Sequence, residues 1–283
     1  MKDIKNCNEC PHTNSCDSYY LGLWCLLNKS KRDYFYVKKV TKDLIKWIKD
    51  WFEDNGKDCN AIIGISGGID SSVATALCVK ALGKDRVIGV RLPQNIQNDI
   101  DDVYKLIKHL DIESYGINIG STVDSVLMGM VFEQIHISEQ TKINLPPRIR
   151  MSTLYAVSQS MNGRVINTSN LSESWVGYDT RYGDSVGDCS PLGNLTKTEI
   201  RLIGKELGLP EELVNKTPLD GLCGQTDEER FGFTYEELDK YIRDGVIENV
   251  EHQRKIEEMH NKNLFKLKPM PSFIPNLKVS IEV

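Results

Sequence analysis

Apolar and polar positions along this 283-residue chain change period several times, and the changes predict alternating strands and helices. Leu44, Ile45, Ile48 and Phe52 recur at helical spacing, and Gly56 closes that helix. Ala61, Ile62, Ile63, Gly64 and Ile65 form a short, largely β-branched run without charge, the pattern of a strand buried in a parallel sheet. A helical pattern follows from Ser71 to Leu82. "RVIGVRL" (86–92) predicts a second strand, "DDVYKLIKHL" a helix and "SYGINI" (114–119) a third strand. Helices near 121–132 and 147–161 lead to the strand "RVINTS" (164–169). The alternation predicts an α/β fold, a parallel sheet flanked by helices, with ligands at the carboxyl ends of its strands.

From Thr168 to Gly193 neither period holds, and the stretch is rich in Gly, Ser, Asp and aromatics, as expected of a long functional loop. Thr196 and Glu199 form a capping box for the helix "KTEIRLIGKEL", which ends at Gly208, and Thr234 with Glu237 forms another. The stretch "HNKNLFKLKPMPSFIPN" is basic and punctuated by proline. It is predicted to be irregular, either a lid over a negatively charged ligand or a loosely packed end.

Candidate chemistry concentrates directly after the first strand, in "SGGIDSS" (66–72). Gly67 and Gly68 let backbone N–H groups approach a ligand, and the helix N-terminus behind them favours an anion. With no lysine between Lys57 and Lys80, this is not the lysine-bearing loop of kinases and motor ATPases. Asp70 beside phosphates would be repelled unless a hard cation such as magnesium lay between them. The plainer alternative is an ordinary strand-to-helix turn. Lys197 falls in a helix's first turn, where the dipole disfavours a cation. A phosphate in front of that terminus explains it, and a solvated lysine is the alternative.

Composition narrows the classes. A net charge of −5, with 40% apolar and 27% charged residues, fits one enzyme-sized core and gives no reason to expect nucleic acid as partner. No apolar run reaches the length of a membrane span, and "MKDIKNCNEC" lacks a signal-peptide core, so the expectation is a cytoplasmic protein without a membrane partner. Cys7, Cys10, Cys16 and Cys25, in C-x2-C-x5-C-x8-C spacing with His12 between, mark off residues 1–30 from a main domain over 31–283. In a reducing compartment that spacing favours zinc or an iron–sulfur cluster over disulfides, with free thiols as the alternative. Cys59, Cys78, Cys189 and Cys223 read as small core residues.

"SGGIDSS" resembles the pyrophosphate loop of the ATP pyrophosphatases, Rossmann-like proteins of the adenine nucleotide alpha hydrolase type that activate a carboxylate or carbonyl by adenylation. With "RLP" (91–93), "NLPPRIRM" (144–151), "NTSNLSE" (167–173), "GYDTRYGD" (177–184), "LTK" (195–197) and "GQTDE" (224–228), the chain is similar to ammonia-dependent NAD synthetases over roughly residues 60–262. The resemblance implies that Ser66, Gly67, Gly68, Ile69, Asp70, Ser71 and Ser72 hold the β- and γ-phosphates of ATP. It implies magnesium on Asp70 and Glu173, Lys197 on the phosphates, Arg91 and Leu92 near the adenine, and Thr168 on the same nucleotide. Arg148, Arg181 and Asp188 would bind nicotinic acid adenine dinucleotide, Asp184 would lie near its pyridine carboxylate and His260 would close over it.

The chemistry agrees with these roles. A carboxylate becomes a competent acyl donor as an acyl-adenylate, with pyrophosphate leaving; ammonia then displaces AMP. Asp184, near the pocket, would hold ammonium and accept its proton, as Lys197 offsets charge on the leaving group. The chain departs from the family at Leu219, where Thr or Ser is usual, at Arg181, where Lys is commoner, and at Asn261, with Lys262 one place late. About sixty residues precede the phosphate loop, too few for a glutamine-hydrolysing domain, so free ammonia is the expected nitrogen source. The resemblance also implies a homodimer, and the apolar stretch "STVDSVLMGMVF" (121–132) suits either its interface or an internal core. Two other functions stay open: a tRNA-modifying adenylating enzyme with a metal-binding N-terminus, and a catalytically silent nucleotide-binding regulator.

Overall fold

The computed structural model describes residues 31–95, 100–216 and 226–273. Four strands, β1 (Asn60–Gly64), β2 (Val87–Arg91), β3 (Glu113–Gly116) and β4 (Gly163–Ile166), form one parallel sheet in the order β3-β2-β1-β4. Ile63 pairs with Gly89 on one side and Ile166 on the other. The direction of winding therefore reverses at β1 and β4, and a crevice opens at their carboxyl ends, where ligands settle in such sheets.

Both faces are covered. Ala61, Ile63 and Ile65 point to one face, beneath α1 (Lys31–Gly56), α2 (Ile69–Leu82) and α7 (Lys197–Glu206). Ile62 points the other way, with Val90, Val165, Met151 and Leu154 under α5 (Glu139–Ser160), so the pleat's period of two sorts one strand into two cores. The helix α3 (Ile100–Leu110) leads into β3, and α4 (Gly120–Phe132) precedes α5. A third cluster, with Val176, Phe231, Phe233, Tyr235, Leu238 and Ile256, lies among α6 (Leu171–Val176), α9 (Asp227–Phe231), α10 (Tyr235–Asp244) and α11 (Val250–Leu267). A single turn, α8 (Glu211–Val214), follows α7. Cys59, Cys78 and Cys189 are buried, as expected of core residues. No helix among the described residues is long and apolar enough to cross a membrane.

Three sequence expectations change. The long loop after β4 contains α6, whose N-cap Asn170 accepts from Glu173 N–H at 3.0 Å and whose end turns at Gly177 with φ +68°. The helix expected at 147 begins at Glu139, capped by Ser138, because Pro146 and Pro147 lie inside it and read as a start rather than an interior. The basic stretch from His260 is helical as far as Leu267, as Ile256 anchors α11 in the third cluster and the chain stops short of Pro269.

Candidate active site

The phosphate loop is built at the end of β1. Ile65 N–H still donates to Val90 O at 2.9 Å, and the chain then turns through Gly67 at φ +84°, a conformation natural to glycine. Gly68 is the N-cap of α2 and has no side chain to accept from its first turn, so those N–H groups face the crevice uncapped. Ser66 Oγ accepts from Gly68 N–H at 3.2 Å and lies 3.2 Å from Ser71 Oγ. Ser71 and Ser72 donate to Gly68 O at 3.1 and 2.8 Å. Ile69 is 3% exposed, so its side chain anchors the helix in the core and only its backbone can serve a ligand.

Lys197 lies at the first turn of α7 with its side chain 3% exposed, donating to Asp70 Oδ2 at 2.6 Å and Glu173 Oε1 at 2.8 Å. The solvated alternative for this lysine is thereby overturned. Burial alone would lower its pKa, but the two carboxylates outweigh burial and hold it above the ordinary lysine range. Burial pushes Glu173 up, against the pull of Lys197. Asn170 donates to Asp70 Oδ1 at 3.0 Å while capping α6, so one side chain ties the Asp70 carboxylate to the first turn of the helix that carries Glu173. The α7 terminus is pinned from below: Thr198 N–H donates to Asp239 Oδ2 at 2.7 Å, and Ser172 hydroxyl bonds Asp239 and accepts from Lys197 N–H.

Two carboxylates beside an uncapped helix terminus are the hard oxygen set that magnesium shares with phosphate. Among the described residues no three His, Cys, Asp or Glu side chains converge as a closed cage. A site completed by substrate oxygens is therefore the kind this donor set can form.

The loop leaving β4 carries a second group. Asn167 Nδ2 and Ser169 Oγ donate to Asp184 O at 2.6 and 2.7 Å, and Thr180 N–H donates to Asp184 Oδ1 at 2.5 Å. Desolvation by this loop pushes the Asp184 carboxyl up to about 6, against the bond from Thr180 N–H and the charge of Lys266. Arg148 Nε donates to the Arg181 carbonyl at 3.2 Å, which ties α5 to the loop three residues ahead of Asp184. Arg181 stacks on Tyr182 and Phe265. Thr168 is half-buried in the same loop.

Other predicted residues are engaged with the protein itself. Asp188 Oδ2 accepts from Val165 N–H at 2.7 Å and Oδ1 from Tyr155 at 3.3 Å, which serves the open edge of β4. Arg91 donates to Tyr104 at 2.7 Å and stacks on its ring, and the Leu92 carbonyl accepts from Arg150 at 3.1 Å. His260 stacks on Trp175 at 4.1 Å and bonds its carbonyl. Cys7, Cys10, Cys16, Cys25 and Leu219 lie outside the described residues.

Sequence reasoning gave no role to Asn170, Asp239 or Arg150. Asn170 with Glu173 three places on is a legible capping signal. Asp239 shows as a charge on the buried stripe of "YEELDKYI"; Arg150, whose charge faces Asp184, has no local signal.

The NAD synthase family profile matches residues 40–271. The chain belongs to the NAD synthase family. Its members are ligases that form a carbon–nitrogen bond, and so is this enzyme. It is 41% identical over 230 residues to the NH(3)-dependent NAD(+) synthetase of Finegoldia magna, covering 77% of this chain and 93% of that one. It is 35% identical over 229 residues to that of Methanocaldococcus jannaschii, covering 80% and 86%. Among solved structures, NMN synthetase from Francisella tularensis matches this chain with a TM-score of 0.77 at 35% identity, covering 85% of this chain and 99% of that one. NH3-dependent NAD synthetase from Campylobacter jejuni in complex with the nitrate ion matches with a TM-score of 0.68 at 30% identity, covering 84% and 99%.

Proposed function

We propose that this NAD synthase converts nicotinic acid adenine dinucleotide to NAD with ammonia, consuming ATP and releasing AMP and pyrophosphate. The observation that carries this is the buried Asp70–Lys197–Glu173 cluster beside the uncapped start of α2. Asp70 and Glu173 would hold magnesium, which when bound supplies positive charge between the carboxylates and phosphate oxygens.

In the first step a pyridine carboxylate oxygen bonds to the α-phosphorus of ATP as the bond to the β-bridging oxygen breaks. Pyrophosphate departs with the negative charge. The N–H groups of α2, the hydroxyl of Ser66 and the charge of Lys197 would offset charge there, with Ser71 and Ser72 joining once they turn from Gly68 O, and all are worth most in a site shielded from water. Arg91, Leu92 and Thr168 would position the adenosine. In the second step ammonia bonds to the acyl carbon, the carbon–oxygen bond to AMP breaks, and a proton leaves the nitrogen. Asp184 would hold the incoming ammonium and take the proton it sheds to become the attacking ammonia, its raised pKa suiting a base near neutral pH, while the second proton, lost from nitrogen after attack, passes to solvent. Arg148, Arg181, Asp188 and His260 would bind the dinucleotide.

The likeness to an NMN synthetase supports a second reading, in which nicotinic acid mononucleotide is the acid amidated. One assay separates them: the protein with ATP, magnesium and either nucleotide, with ammonium or glutamine as nitrogen source. NAD from the dinucleotide with ammonium is expected; product from the mononucleotide alone would favour the second reading, and product with neither would overturn both.

The exposed apolar residues of α4, Met128, Val131 and Phe132, support its use as the homodimer interface. Residues 1–30 would form a separate cytoplasmic-type metal segment on Cys7, Cys10, Cys16 and Cys25, ahead of a catalytic domain over 31–283. Zinc and iron analysis of the purified protein tests that assignment.

A further inference from the structure

One face of α11 reaches over the end of α6. His260 bonds Trp175 O, Asn263 Nδ2 donates to Val176 O at 3.1 Å, and Lys266 Nζ donates to Gly177 O at 2.6 Å and Asp179 O at 2.8 Å. Spaced by three, these side chains satisfy successive carbonyls that a helix end leaves open. Lys266 is the only cation of the three residues with a fixed charge, and it lies where the α6 dipole is negative. Its Nζ is also 4.0 Å from Asp179 Oδ1, which is buried without a hydrogen-bond partner. Beyond Asp179 the chain passes at once to Thr180, whose N–H fixes the Asp184 carboxylate, and to Arg181, whose guanidinium lies 5.7 Å from the ring of Phe265, the neighbour of Lys266.

We propose that Lys266 is a positioning residue, holding the loop from Gly177 to Asp184 in the shape that receives the dinucleotide's pyridine end. This rests on the reaction proposed above. Lys266 spends its donors on the loop's carbonyls, so it acts through the loop. Its charge also bears on the loop's acids. Those facing Asp184 are Asp179 from the loop, which raises it after desolvation has done so, Lys266 from α11, which lowers it, and Arg150 from α5.

The test is the steady-state kinetics of Lys266→Met and Lys266→Arg in the full chain, varying dinucleotide and ATP separately and then pH at fixed free ammonia. Lys266→Met should raise KM for the dinucleotide roughly tenfold or more, leave KM for ATP within about twofold, and move the acid limb to higher pH. Lys266→Arg should recover most of the loss, because a guanidinium can still donate to both carbonyls. Unchanged dinucleotide KM with an unchanged acid limb would overturn the proposal, as would equal rises in both KM values with a fall in Tm. Should Lys266→Met not fold, Lys266→Gln is read by the same criteria. An inactive wild type would fail the proposed reaction instead, and calorimetric binding of the dinucleotide to wild type and variant then decides the role of Lys266: equal affinities, or no binding by either, would overturn it.

Discussion

Lys197 joins three parts of the chain that lie far apart in sequence: the phosphate loop through Asp70, the loop after β4 through Glu173, and the start of α7. Replacing it by methionine leaves two carboxylates facing each other with little water between them. Removing one partner of a buried pair costs about 3–5 kcal/mol, and the partial exposure of both acids places this case at the lower end. Urea unfolding at neutral pH should show a loss of about 3 kcal/mol. The loss should shrink on acidification, because Glu173, already pushed up by burial, takes a proton and the repulsion ends. Equal stability of wild type and variant at neutral pH would remove Lys197 from this role. Asp184 makes a separate prediction. Its carboxyl is charged above about 6 and protonated below, so at constant free ammonia the rate should fall as pH drops through that value. Asp184→Asn should be slower above that value, approach wild type below it and lack that limb; a limb kept in the variant would assign it to another group.

At the scale of elements, the loop after β4 depends on how α6 ends. Gly177 has φ +68°, and a Cβ there would lie 2.3 Å from Asn263 Cβ. Gly177→Ala meets both a left-handed backbone and a contact that Asn263 cannot relieve by rotating its amide. The expected loss is about 2 kcal/mol or more in thermal or chemical unfolding, and a neutral effect would mean that α11 can slide off the loop. The same region shows where sequence legibility ends. The strands β1, β2 and β4, the phosphate loop and the capping boxes at Thr196 and Thr234 are local signals, set by residues within a few places of one another, and they stand where the pattern puts them. Lys197's burial is not local: nothing near "LTK" says that Asp70 and Glu173 will meet it. The helical form of the His260 stretch was hidden for a similar reason, since its bonds go to carbonyls more than eighty residues earlier. Pro146 and Pro147 concealed the first turns of α5 because proline starts helices more often than it sits within them.

For the whole molecule, the sheet order places the phosphate loop and the loop after β4 on neighbouring strands, so Asp70 and the loop that carries Glu173 and Asp184 share the crevice at their carboxyl ends. Away from the strand-end crevice's named groups, α4 carries Phe132 at 77% exposure beside Val131 and Met128. A paired Val131→Asp and Phe132→Asp variant should elute in light scattering as the 32.1 kDa chain, whereas wild type should show twice that mass. A wild-type monomer would leave that apolar face to another partner. In the reaction proposed above, the phosphate loop, Asp70, Glu173 and Lys197 would together serve activation of the carboxylate on its way to the amide, and an oxygen label follows that step directly. With 18O in both carboxylate oxygens of nicotinic acid adenine dinucleotide, one label should appear in the phosphate of AMP and one should remain in the amide of NAD. Label found in pyrophosphate, or AMP without label, would contradict adenylation at this site.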